Sequence, residues 1–147
     1  CSLPVMIESN TIGSAGTGSA SSRETVGIGV SSWDGTGDAA IIDNTIHGKD
    51  IGARLCRGVL HGNRFVDNTV NIQVESVCSP WEDIDAEANW WGTTDAEEIA
   101  TKIVDCGGDP STHCHQHFAP WCIDEGCSQT PGPARSWTSI KAMYRSR

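Results

Sequence analysis

Four segments of the chain share one arrangement of apolar and polar positions: apolar, two variable residues, asparagine, one variable residue, apolar. They are residues 7–12 (IESNTI), 41–46 (IIDNTI), 60–65 (LHGNRF) and 86–91 (AEANWW). Their asparagines, Asn10, Asn44, Asn63 and Asn89, are 34, 19 and 26 residues apart. Between them lie short alternating stretches at 26–30 (VGIGV), 51–55 (IGARL) and 70–74 (VNIQV). Each is strand-sized and repeats every second residue, as a half-buried strand does. Helical periodicity is absent from residues 1–92.

Short strands at a repeat of this length, with Asn or Gly at the corners, predict a parallel β-solenoid. Each turn lays its strands on the turn below, and inward Ile, Val and Leu stack as ladders. A corner Asn tolerates the left-handed conformation, and its side chain can bond its own backbone or the next Asn in the stack. The first strand is expected over Val5 to Ile12. The long first gap is explained by an insertion, because residues 13–25 (GSAGTGSASSRET) are too rich in Gly and Ser to build a core.

After residue 92 the period changes. Ile99, Ile103 and Val104 fall at helical spacing behind Thr94, the expected N-cap, with Glu97 completing a capping box and Gly107-Gly108 as the stop. Such a helix covers the end of the apolar ladder. Residues 1–105 are thus expected to form the solenoid with its capping helix, 106–127 a Cys-rich cap, 128–134 (SQTPGPA) a linker and 135–147 a basic, Trp-containing tail. In the tail, Trp137, Ile140 and Tyr144 share one helical face.

Charge sharpens that division. Residues 1–130 carry six Lys/Arg and all nineteen Asp/Glu, a net −13, whereas residues 131–147 carry four basic residues and no acid. An acidic body argues against nucleic acid as a partner. The tail, with Lys141 and Arg145 beside its apolar face, is expected to dock on an acidic surface. No apolar run is long enough for a membrane-spanning helix. Seven cysteines at irregular spacing, Cys1, Cys56, Cys78, Cys106, Cys114, Cys122 and Cys127, read as disulfides of an extracellular or cell-surface protein. Cys56 and Cys78, about one turn apart, are expected to bond across neighbouring turns. Most of the remaining pairing falls within the cap. An odd count leaves one thiol over for another molecule, and Cys1 is the candidate.

The NTI-type turns, Asn89-Trp90-Trp91-Gly92 and the downstream Phe118-Ala119-Pro120-Trp121 resemble right-handed parallel β-helix repeat proteins of bacteria and archaea. The resemblance spans roughly residues 5–123 and implies an all-β fold: a short right-handed β-helix with one capping helix and a disulfide-rich C-terminal cap. It also implies a secreted location, but no activity, since this fold hosts enzymes and inert scaffolds alike.

Candidate chemistry is sparse. Polysaccharide-active proteins of this fold use carboxylates with an Arg or Lys base on one face, and Asp43, Asp67, Arg54 and Arg64 are the residues to consider. A solvated face with ordinary ion pairs is the plainer reading. Asp34-Gly35-Thr36-Gly37-Asp38 offers Asp34 and Asp38 as calcium ligands without the full EF-hand pattern. His113, His115 and His117 alternate and could share a metal. No catalytic residue is assigned and no cofactor is expected, calcium being the only candidate.

The expected function is that of a non-catalytic structural subunit. It would assemble head-to-tail with copies of itself, as a filament or surface layer, through open strand edges, tail docking and an intermolecular disulfide. The docking residues are Trp137, Ile140, Lys141, Tyr144 and Arg145. The alternative is a carbohydrate-binding or polysaccharide-active module, calcium-dependent, with an extracellular glycan as partner.

Overall fold

The computed structural model describes residues 5–13, 24–30, 39–75, 84–104 and 116–127. Half of them lie in strands. In chain order these are β1 (Val5–Glu8), β2 (Thr11–Gly13), β3 (Val26–Val30), β4 (Ala39–Ile42), β5 (Thr45–His47), β6 (Ile51–Leu55), β7 (Gly58–His61), β8 (Arg64–Val66), β9 (Val70–Val74), β10 (Ile84–Asp85), β11 (Ile103–Val104) and β12 (Gln116–His117). One helix, α1 (Ala96–Thr101), precedes β11.

The strands form three sheets, ordered β1-β4-β7-β10-β12, β3-β6-β9-β11 and β2-β5-β8, and every pair is parallel. The chain visits the sheets in rotation, so each strand pairs with the corresponding strand of the next turn. The alternating stretches read from the sequence are β3, β6 and β9. The stretch expected as one strand from Val5 to Ile12 is two, because the chain turns a corner at Ser9-Asn10 and changes sheet.

Parallel register stacks like on like. Ile7 pairs with Ile41 and Ile41 with Leu60; Ile12, Ile46 and Phe65 form a second column, and Ile28, Ala53, Ile72 and Ile103 a third. Ile41, Ile46, Leu60, Phe65 and Ile72 are wholly buried in this core. Glycine sets how closely the turns approach. A β-carbon on Gly52 would stand 2.7 Å from the Asn71 carbonyl oxygen and 2.9 Å from the Phe65 ring, closer than real atoms pack.

The repeating asparagines form the predicted ladder at the corner between the first and third sheets. The backbone N–H of Asn10 donates to the Asn44 Oδ1, that of Asn44 to Asn63 and that of Asn63 to Asn89, each at 2.9 Å. The Nδ2 groups of Asn10, Asn44 and Asn63 donate along the same line, and all four donate to carbonyls, such as Asn63 to Ile41 at 2.7 Å and Asn89 to Ala86 at 2.7 Å. The left-handed residue is not the Asn itself but its predecessor: Ser9, Asp43, Gly62 and Ala88 have φ of 57°, 53°, 67° and 55°. The Asn itself has no positive φ, and its amide faces its neighbour in the ladder. A shorter corner of the same kind follows the third sheet, where the Lys49 N–H donates to the Asn68 Oδ1 at 3.0 Å.

At the far end the fold closes. Trp91 stacks on Phe65 with ring centroids 5.0 Å apart and planes 13° apart, and Ile99 of α1 is buried in the same cluster. The N-cap of α1 is Asp95 rather than Thr94. Its carboxylate accepts from the N–H groups of Glu97 (2.8 Å) and Glu98 (3.3 Å), a stronger cap than a hydroxyl because it carries charge into the positive end of the helix. The helix is also shorter than its periodicity suggests. It ends at Thr101, and Ile103 and Val104 pair in parallel with Ile72 and Gln73. Asp95→Ala should therefore lower stability by about 1 kcal/mol in urea denaturation, while Thr94→Ala should leave the midpoint unchanged.

The Phe118–Trp121 segment starts a further turn. β12 pairs with β10, the Ala88 N–H donates to the Pro120 carbonyl (2.7 Å), and the Cys122 N–H donates to Asn89 (2.9 Å). Phe118 and Trp121 pack against the core, and the Cys122–Cys127 disulfide closes the turn that follows.

Candidate functional site

Of the cysteines, Cys122 and Cys127 are bonded to each other with Cα atoms 4.6 Å apart, and Cys56 is also disulfide-bonded. Cys1, Cys78, Cys106 and Cys114 lie outside the described residues, and with them the expected Cys56–Cys78 pairing. Asp34, Asp38, His113 and His115 also lie outside, as do Trp137, Ile140, Lys141, Tyr144 and Arg145. His117 is placed by its backbone, in β12.

The four charged residues considered for polysaccharide chemistry do not converge. Asp43 and Asp67 are left-handed corner residues at opposite ends of strands of the third sheet. Arg54, on the second sheet, donates to the Gln73 Oε1 at 2.9 Å and pairs with Glu24; Arg64, on the third, pairs with Glu125. Among the described residues no three His, Cys, Asp or Glu side chains group as a metal site.

Two other features stand out. The first is the open end of the stack. Among the described residues β1, β2 and β3 each pair on one side only. Alternate residues of a parallel strand bond each neighbour; since the Ser9 N–H donates to the Ile42 carbonyl, the N–H groups of Met6 and Glu8 face away from β4. Val5 and Met6 are 47% and 66% exposed, large apolar residues on an unpaired edge. Asn10 heads the ladder: each later Asn accepts through Oδ1 from the turn before, whereas the Asn10 Oδ1 has no donor among the described residues.

The second feature is a His–Asp pair that the sequence reading missed. Inward Leu60 and Ile84 turn His61 and Asp85 to the outer face of the first sheet. The His61 Nε2 lies 2.9 Å from the Asp85 Oδ1, and Asp85 is only 5% exposed. The Asp85 Oδ1 also accepts from the Glu87 N–H at 3.2 Å. The ring nitrogen is not well aligned for a hydrogen bond, so the contact is chiefly an ion pair once His61 is protonated. This close contact with the Asp85 carboxylate raises the His61 pKa above its ordinary value, against the opposing effect of burial and with help from the charges of Asp85 and Glu87. Alternation could have placed each residue outward, but not their strands side by side, since 22 residues separate β7 from β10.

The sign of the pH dependence follows. A raised pKa means that the folded chain holds the proton more tightly, so the stabilisation is fully present below about pH 6.5 and is lost as pH rises through the folded value. His61 is partly solvated, which limits the effect to about 1 kcal/mol or less. Urea midpoints in metal-free buffer should fall between about pH 6 and 9 by more in wild type than in His61→Gln. Equal pH profiles would contradict the pairing.

No family model, no curated protein and no solved structure matches the chain.

Proposed function

We propose that this chain is a non-catalytic extracellular structural protein, a short right-handed parallel β-helix that assembles with copies of itself through its open strand edges. The hand follows from the general rule for parallel crossovers, which are right-handed in nearly every known case. The extracellular setting is supported by the disulfides at Cys122–Cys127 and Cys56.

The asymmetry of the two ends carries the reading. One end presents three strands of four, three and five residues that pair on one side only among the described residues, with exposed Val5 and Met6. The other ends in two-residue strands, a helix and a disulfide-closed turn. Short edges resist further pairing and long ones invite it. Strand pairing therefore joins the first-turn faces of two copies, and the basic tail, docking by Trp137, Ile140 and Tyr144 on the acidic body of another copy, extends the assembly beyond the pair.

Sedimentation velocity tests this. The wild type should associate as concentration rises. Met6→Pro, which removes an outward N–H without breaking a bond to β4, should prevent the strand-mediated step. Deletion of residues 135–147 should leave pairs that do not extend. A wild-type chain that stays monomeric throughout would refute the proposal.

A further inference from the structure

Along β1 the described residues that turn their backbone away from β4 are Met6 and Glu8. The Ser9 N–H donates to the Ile42 carbonyl and the Ile7 carbonyl accepts from the Asn44 Nδ2, so the odd-numbered residues face β4 and the even-numbered ones face out. The flanking even-numbered residues cannot donate there. Pro4 has no N–H, and the Asn10 N–H is already given to the Asn44 Oδ1. We infer that the joint between two copies is an antiparallel β1–β1 pair with its two-fold axis at Ile7, so that Met6 of each copy lies opposite Glu8 of the other. This register rests on the strand-edge association proposed above and fixes which residues meet in it.

Two identical edges joined by a two-fold axis run antiparallel, and residues that face each other across such a pair exchange both of their backbone bonds. With the axis at Ile7, the Met6–Glu8 pairs use every outward N–H and C=O of both residues. The Glu8 carbonyl already accepts from the Asn10 Nδ2 at 2.9 Å, and its second lone pair serves the joint. The neighbouring registers are poorer. An axis at Met6 sets Glu8 against Pro4, which cannot return a bond. An axis at Glu8 sets Met6 against Asn10, whose N–H is taken, and brings two carboxylates face to face. Packing agrees with the hydrogen bonds. Ile7 is the partly buried end of the inward column Leu60, Ile41, Ile7, and an axis at Ile7 lays it on Ile7 of the second copy, so the column runs on across the joint. Met6 and Glu8 are exposed, and their register neighbours on β4, Ala40 and Ile42, carry no charge.

Sedimentation velocity of the full chain at low salt reads the register through Met6. A lysine on an edge strand ordinarily discourages pairing. Here Met6→Lys meets Glu8 of the other copy twice per joint, and the concentration for half-association should fall roughly threefold or more. That gain should vanish at about 1 M salt. Met6→Glu sets acid against acid and should raise the same concentration by a similar factor; adding Glu8→Lys to it restores opposite charges and should bring association back to the wild-type level or tighter. Ile123→Lys makes the same charge change as Met6→Lys at an exposed position beyond the last turn and should have no effect. Circular dichroism matching the wild type shows that each variant folds, and if Met6→Lys does not, the double variant against Met6→Glu decides alone. A wild type that never associates refutes the strand-edge reading itself. Association that Met6→Lys weakens or leaves unchanged, that Ile123→Lys tightens equally, or that Glu8→Lys fails to restore overturns the register alone.

Discussion

Asn63→Ala is expected to be among the most damaging single substitutions in the chain, lowering stability by about 2–5 kcal/mol in urea denaturation. Asn63 is fully buried. Its Oδ1 accepts the backbone N–H of Asn44 and its Nδ2 donates to the Ile41 carbonyl and the Asn89 Oδ1. Alanine removes the side chain but leaves the Asn44 N–H and the Ile41 carbonyl in a dry corner, each costing about 1–3 kcal/mol when unpaired. Asn63→Asp tests the cause: with its carboxyl protonated at low pH it keeps the acceptor and one donor in place of the two amide donations, so it should fall between wild type and alanine. Asn10→Ala removes the exposed head of the same ladder and should cost less than about 1 kcal/mol. Equal effects at Asn10 and Asn63 would mean that the ladder does not carry the corner.

Trp91→Ala should cost about 3–5 kcal/mol, the range for deleting a buried aromatic side chain. Trp91 is 1% exposed and stacks on Phe65. Its indole N–H is buried with no hydrogen-bond partner among the described residues, so Trp91→Phe should cost much less, about 1.5 kcal/mol or under: a ring remains and an unpaired donor is gone. Trp90, partly exposed in the same motif, should be the milder alanine substitution. A double-mutant cycle between Phe65 and Trp91 should give a coupling of about 0.5–1.5 kcal/mol. If Trp91→Phe proves as destabilising as Trp91→Ala, the stack is not what seals this end.

The parts of the fold legible in the sequence were those set by local alternation and by a side chain with one special capacity. β3, β6 and β9 could be read because Ile, Val and Leu recur at every second position. The Asn ladder could be read because an amide both donates and accepts, so one repeated per turn has an obvious partner. The left-handed residue before it was not legible: Ser9, Asp43, Gly62 and Ala88 share no chemistry, and only the corner geometry makes them equivalent. Asp95 displaced Thr94 as N-cap because two adjacent capping residues compete and only the exact entry of the chain decides between them. Ile103 and Val104 fit a helix in sequence, but β9 offers them an unpaired edge, which won. His61 and Asp85 meet through register between turns of unequal length, and no local pattern encodes register across such a gap.

The central claim is that the first-turn edges are joined to another copy, and amide hydrogen exchange measured against protein concentration addresses it most directly. The N–H groups of Met6 and Glu8 face away from β4, and among the described residues no strand pairs with them on that side. The account predicts that they exchange freely in dilute solution and slow by roughly tenfold or more as the chain associates, while Ile41, already buried between two strands, stays slow throughout. Met6 and Glu8 amides that keep their fast exchange in assembled protein would contradict it.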